Sequence, residues 1–291
     1  MSLILPQAYS NNDLIVQSTQ TAKPFLKWAG GKSQLLTQYG AHFPGNFDAY
    51  HEPFVGGGAV FFHLTPNQAL LSDMNEELIN AYLQIKDDVE GLIYALKSHV
   101  NDKDYFYKIR GLNPKELSPV QRASRFIFLN KTCFNGLHRV NRSGQFNVPF
   151  GQYKNPKILD ADNLRSVSKI LSTADVQVRN FESVLDVAKP GDLVYFDPPY
   201  HPTNEKSYFT EYTSVPFDKQ QQELLGSVFR ELDHRGCLVM LSNSYTPFII
   251  NLFTKLGYHA ALVEVKANRA INCKGDGRGQ VSEVLVCNWL K

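Results

Sequence analysis

The stretch from Phe47 to Asp73 most constrains what this chain can fold into. A short strand through His51 runs into the turn Phe54-Val55-Gly56-Gly57-Gly58, a helix starts at Ala59, and Ala69-Leu70-Leu71-Ser72 forms a second strand that ends at Asp73. Strand, glycine turn, helix, strand is a βαβ unit, and it commits the chain to a parallel sheet. The same alternation returns near the other end, with strand-like Val176-Gln177-Val178, Leu193 to Phe196 and Leu238-Val239-Met240-Leu241. A terminal hairpin is predicted from Ala260 to Val265 and Val284 to Asn288. Between the two halves the pattern is mostly helical, over Glu77 to Lys97 and Gln121 to Asn130, and closes in the loop Asn141-Arg142-Ser143-Gly144-Gln145. Residues 77–160 therefore read as an insertion.

The most chemically specific segment leaves the apolar run Leu193-Val194-Tyr195-Phe196 as Asp197-Pro198-Pro199-Tyr200. A carboxylate, two prolines and an aromatic ring at a strand end suit chemistry on a planar amino group. The lone pair of a nucleobase amine is delocalised into the ring, so a catalyst must make the nitrogen more tetrahedral. The Asp197 carboxylate can accept one N–H and the Pro198 carbonyl the other, while proline stiffens the turn and brings no competing N–H. Tyr200 would stack on the base. An ordinary Pro-Pro turn explains the same four residues equally well, so the rest of the chain has to decide.

Two glycine clusters bear on a ligand. Gly56 and Gly58 allow close backbone approach at the first strand–helix turn, and Asp73 at the end of the next strand is placed for ribose hydroxyls. The turn is not a dinucleotide fingerprint, because Phe61 stands where the third glycine would fall. Trp28-Ala29-Gly30-Gly31-Lys32-Ser33 is not a P-loop either, since Leu26 occupies the position of its first glycine. A turn that sets the Trp28 indole and the Lys32 ammonium beside a ligand fits better.

Charge is one-sided where the insertion ends. Net charge is only +2 over 291 residues, yet from Gln121 to Leu159 there are seven cations, Arg122, Arg125, Lys131, Arg139, Arg142, Lys154 and Lys157, and no acid. Such a stretch favours a polyanion. The four cysteines, Cys133, Cys237, Cys273 and Cys287, show no paired spacing for zinc or disulfides, so a reduced, cytoplasmic protein without a metal is expected. No membrane-length apolar run occurs in the sequence.

Taken in order, Phe25-Leu26-Lys27-Trp28-Ala29-Gly30-Gly31-Lys32, Glu52-Pro53-Phe54-Val55-Gly56-Gly57-Gly58, Asp73-Met74-Asn75, Asn135-Gly136-Leu137-His138-Arg139 with Phe146-Asn147-Val148-Pro149-Phe150-Gly151, and Asp197-Pro198-Pro199-Tyr200 resemble the DNA adenine-N6 methyltransferases of the Dam type. The resemblance runs from about Lys23 to the C-terminus and has the alpha order of amino-methyltransferases. It implies an α/β fold: a doubly wound methyltransferase sheet with an antiparallel C-terminal hairpin and an inserted, mainly helical target-recognition domain. The expected division is an arm over 1–22, a catalytic domain that binds S-adenosylmethionine over 23–76 and 161–291, and target recognition over 77–160.

By the same resemblance, Trp28, Lys32, Gly56, Gly58, Asp73, Phe181 and Asp197 match cofactor-binding positions, and Asp197, Pro198 and Tyr200 catalytic ones. The family often has an acid before the aromatic at Phe181, where this chain has Asn180. Lys27, Phe134, Leu137, Arg139 and Pro149 match positions that touch bases of a GATC target in double-stranded DNA. Phe134 stands where the family often has tyrosine. Arg122, Arg125, Lys131, Arg142 and the basic loop from Lys266 to Arg278 are expected to hold phosphates. A monomer is expected, and the sulfonium needs no metal to activate it. The residues leave open a methyltransferase for RNA adenine or cytosine N4 and a catalytically silent relative that binds DNA. They also leave open a partner restriction endonuclease as against a solitary role.

Overall fold

A computed structural model of the chain describes residues 22–141, 143–203, 217–268 and 280–290. The expected arm, except for Ala22, lies outside these residues, as do Arg142 and most of the basic loop after Lys266.

Seven strands form one sheet: β1 (Tyr50–Glu52), β2 (Ala69–Asp73), β3 (Ala174–Val178), β4 (Leu193–Phe196), β5 (Leu238–Ser244), β6 (Leu262–Asn268) and β7 (Gln280–Cys287). Their order is β3-β2-β1-β4-β5-β7-β6, with β7 antiparallel to both neighbours and the other pairings parallel. The βαβ unit is where the pattern of apolar residues put it, and the terminal hairpin forms with longer strands, β6 running on to Asn268 and β7 starting at Gln280, four residues before Val284. β1 and β4 are buried along their whole length, as befits central strands covered on both faces.

The alternation along β4 divides the protein into two cores. Leu193 and Tyr195 point into one, with Tyr50, Leu71 and Met240; Val194 and Phe196 point into the other, with Val239, Leu241 and Val286. The first core is closed by α2 (Ala59–Leu64), α3 (Glu76–Asp87), α4 (Val89–Lys97), α6 (Pro119–Thr132) and α7 (Ala161–Leu171), and the second by α8 (Lys219–His234) and α9 (Pro247–Lys255). Each fully buried Leu, Val or Phe contributes about 1.5–3 kcal/mol relative to exposure. The remaining helices are α1 (Leu36–Gly40) and α5 (Lys103–Gly111).

Two helices differ from their predicted extents. Glu77 to Lys97 breaks at Asp88, whose backbone leaves the helical region (φ −145°, ψ 59°) and whose carboxylate caps α4 by accepting from the Gly91 N–H at 3.0 Å. α6 begins two residues before Gln121, because Ser118 and Gln121 form a reciprocal capping box with Pro119 at the first turn.

The apolar cores do not divide at residue 77. Leu78, Tyr82 and Ile85 of α3, Leu92 of α4 and Phe126 of α6 share one cluster with the sheet. A separate small cluster of Phe106, Phe128, Leu129, Cys133 and Val148 lies further along the chain, under the loop that follows α6. Cys133, Cys237 and Cys287 are buried and free. Among the described residues no helix is long and apolar enough to cross a membrane.

Candidate active site

The parallel strands end together at one edge of the sheet, and the strand order reverses between β1 and β4. Open α/β sheets bind ligands in the crevice at such a switch point, beyond the carboxyl ends of the strands. The turn after β1, Asp73 at the end of β2, Asp197 after β4 and Ser242-Asn243-Ser244 at the end of β5 converge here.

Asp197 is anchored rather than free. Lys32 Nζ lies 2.7 Å from its carboxylate, and the Ser242 hydroxyl donates to Oδ1 at 2.9 Å. The Lys32 side chain is only 4% exposed, and its ammonium also donates to the Gly30 carbonyl at 2.6 Å. Lys32 thus orients the carboxylate through a charge-assisted bond. The same ammonium lies 4.7 Å from the centroid of the Tyr200 ring.

The turn itself is pinned by buried polar groups. The Gln222 amide donates to the Pro199 carbonyl at 2.9 Å, the His201 N–H donates to Asn243 Oδ1 at 3.0 Å, and the Asn243 amide donates to Gln222 Oε1 at 3.0 Å. The Tyr200 hydroxyl donates to Glu283 Oε2 at 2.7 Å. Among the described residues no donor reaches the Pro198 carbonyl. Gln222, Ser242, Asn243 and Glu283 were missed in the sequence. The available signal was the abrupt change in β5 from apolar Leu238 to Leu241 into three small polar residues.

On the β1–β2 side, Gly56 and Gly58 adopt positive φ (47° and 66°). A side chain at Gly56 would come within 2.6 Å of Trp28 Nε1, and one at Gly58 within 2.6 Å of the Tyr82 hydroxyl. The glycines therefore admit the protein's own Trp28 and Tyr82. Asp73 Oδ2 accepts from the Gly56 N–H at 3.3 Å and Oδ1 from the Asn75 N–H at 3.0 Å. Burial pushes its carboxyl up to about 6, against the lowering effect of those backbone bonds. Phe181 is buried, its ring 5.4 Å from Phe54 and 5.8 Å from Phe217, while Asn180 caps the turn after it by accepting from the Ser183 N–H. Met74 and Val178, at the ends of β2 and β3, are unusually open for apolar residues at 58% and 46% exposure.

The loop after α6 lies against this site. Asn130 bonds both backbone groups of Lys27, at 2.8 and 2.7 Å, and also donates to the Gly136 carbonyl at 3.1 Å. The Lys27 ammonium lies 3.8 Å from the Tyr153 ring centroid. Arg139 is exposed and donates from Nε to Asn147 at 2.7 Å. Phe134 and Pro149 are exposed beside it, joined by a 2.8 Å bond from the Phe134 N–H to the Pro149 carbonyl, and Leu137 is half-buried. His138 stacks on Trp28 at 5.9 Å between centroids, and burial lowers its imidazole to about 4, so it is neutral.

Two expected phosphate ligands are engaged elsewhere. Arg122 pairs with Glu77 of α3. Arg125 is 6% exposed and donates to the Ile109 and Arg110 carbonyls at 3.0 and 2.7 Å, so it closes the C-terminal end of α5 and cannot meet a phosphate without leaving those carbonyls. Lys131 is half-buried, its ammonium lowered to about 8 by burial and then by Lys27.

A mixed seven-stranded sheet with its antiparallel β7 between β5 and β6 is consistent with a methyltransferase fold, and the Asp-Pro-Pro-Tyr turn at the end of β4 resembles that of the methyltransferases acting on amino groups. Known proteins extend this to a family. The family model of the D12 class N6 adenine-specific DNA methyltransferases matches residues 28–271, and the chain belongs to that family. It is 44% identical over 289 residues to the type II methyltransferase M.MjaIII of Methanocaldococcus jannaschii, covering 92% of this chain and 99% of that protein. It is 40% identical to the type II methyltransferase M1.LlaDCHI of Lactococcus lactis subsp. cremoris, over 95% of this chain and 99% of that one. The DNA adenine methylase of Escherichia coli is 33% identical, over 90% of this chain and 94% of its own length.

Proposed function

We propose that the chain methylates N6 of an adenine flipped out of double-stranded DNA, within GATC, with Asp197, Pro198 and Tyr200 as the groups that act on the base. The observation that carries this reading is the Asp197 carboxylate held by Lys32 and Ser242 beside the Pro198 carbonyl. Two acceptors so placed take the two amino hydrogens of adenine and localise the nitrogen lone pair. Tyr200 stacks on the extruded base, offsetting an unstacking cost on the order of a few kcal/mol.

The residues present fit S-adenosylmethionine, which when bound supplies the electrophilic methyl group. The Asp73 oxygens accept the Gly56 and Asn75 N–H groups and would offer a remaining lone pair to a ribose hydroxyl. Met74 and Val178 offer apolar cover to a purine, and Trp28, packed on Gly56, walls the methionine side. Phe181 backs the site through Phe54.

Lys27, Phe134, Leu137, Arg139 and Pro149 form the face that meets bases, and exposed Arg139 reads one through its paired donors. Arg142 lies outside the described residues, and its phosphate role rests on the resemblance alone. The target GATC rests on the matched positions, and the type II names of the 44% and 40% identical relatives support a place beside a restriction endonuclease.

The test is methylation of defined duplexes, a GATC duplex, scrambled duplexes and the corresponding RNA, with labelled cofactor and location of the label. Label on adenine of the GATC duplex is expected, with Asp197→Ala slower by ~10²–10³-fold. Label on cytosine or RNA, or full activity of Asp197→Ala, overturns the reading.

A further inference from the structure

We propose that Glu283 is a positioning residue for Tyr200: its carboxylate holds the phenol end of the ring so that the ring faces the target base with Asp197 at its side. The inference rests on the reading that Tyr200 stacks on that base. Glu283 lies on β7, opposite Ser244 of β5, and is followed by the buried apolar run Val284, Leu285, Val286. It is the one acid in that strand. An apolar side chain would serve β7 equally well as packing, so the acid calls for a local reason.

The reason is at the carboxylate. Oε2 accepts from the Tyr200 hydroxyl at 2.7 Å and from the hydroxyl of fully buried Tyr39 at 3.2 Å. Tyr39 belongs to α1, so three separate segments meet on one oxygen. Gln222 and Asn243 fix the backbone on either side of Tyr200, at Pro199 and His201, but they leave its ring free to turn. Glu283 removes that freedom from the far end. The Lys32 ammonium then has a defined ring face 4.7 Å away and the Asp197 carboxylate at 2.7 Å. Burial raises the Glu283 carboxyl, and Lys32 together with the two phenol bonds favours its charged form.

The test uses the full-length protein and a duplex carrying 2-aminopurine at the adenine that the wild type methylates. Flipping is read as fluorescence and transfer as kcat, with KM for the cofactor measured alongside. Glu283→Met, which fills the same space without an acceptor, is expected to lower kcat up to about a hundredfold and to weaken the flipping signal. KM for the cofactor should stay within about twofold of the wild type. Glu283→Gln, whose amide oxygen still accepts from the phenol, is expected to restore most of the signal. In a Tyr200→Phe background, Glu283→Met should lower kcat and the flipping signal far less than it does alone, because the bond that holds the ring is already lost and only the Tyr39 bond remains.

Additive losses in the double variant, or wild-type fluorescence and kcat for Glu283→Met, overturn the inference. Tyr200→Ala separates the two levels. If it abolishes flipping and transfer while Glu283→Met leaves both intact, only the positioning role fails; if Tyr200→Ala is itself without effect, the stacking reading fails and takes this inference with it.

Discussion

Asp73 is a carboxylate whose environment opposes its charge. Burial holds its carboxyl up to about 6, well above the usual range, while bonds from Gly56 and Asn75 pull the other way. In the proposed cofactor site the ionised form accepts ribose hydroxyls more strongly than the neutral one and with both oxygens, so affinity for S-adenosylmethionine should be highest above pH 6 and fall as pH drops through it. The expected slope is about tenfold per pH unit on the acid side, measured by calorimetric titration, and Asp73→Asn should flatten it. The stability sign is opposite. A native pKa above the unfolded value means that ionised Asp73 costs folding energy, a cost that appears as pH rises from the unfolded pKa towards 6 and is fully present at neutral pH. Asp73→Asn should accordingly raise Tm at pH 7 while weakening the cofactor. Asp73 could be picked out from its place at a strand end; its perturbed ionisation could not, because that depends on what folds over it.

At the scale of elements, α5 and α6 show why charge counting misled. Arg125 sits in a run of seven cations and no acids, which pointed to phosphates. α6 turns it inward, where its guanidinium takes the carbonyls of Ile109 and Arg110 that α5 leaves open at its end. Arg125→Met should therefore lower the unfolding free energy by ~1–3 kcal/mol through the unsatisfied carbonyls, read as a lower midpoint in denaturant titration. The slope of DNA affinity against salt, measured by fluorescence anisotropy, should not change. Arg122, still a quarter exposed, is paired with Glu77 of α3. Helix periodicity says which residues share a face, but not which neighbour that face will meet.

In the whole molecule, the sheet supplies the edge at which the proposed cofactor-binding and catalytic residues meet, and the loop after α6, proposed to read bases, lies against it. Asn130 ties that loop to Lys27, and His138 packs on Trp28, so the proposed base-reading face is held to the site. Exposed Arg139 is the natural point of discrimination. Arg139→Ala should reduce the preference for one base pair of the target by ~1–3 kcal/mol and leave the others intact. kcat/KM on duplexes changed one position at a time would show it; an equal loss on every duplex would make Arg139 a phosphate ligand.

What the amino-acid order determined by itself was whatever depends on neighbours along the chain: the βαβ unit, the presence of a terminal hairpin, the glycine turn after the first strand and the Asp-Pro-Pro-Tyr turn after an apolar strand. Periodicity and turn chemistry are local, so they survive without a structure. Tertiary packing decided which groups those residues face. It set Lys32 on Asp197, packed Trp28 over Gly56, buried Arg125, and brought Ser242, Gln222 and Glu283 to a turn up to 83 residues away. Hydrogen bonds and ion pairs need approach to about 3 Å. Separation along the chain says nothing about that distance until the sheet has closed.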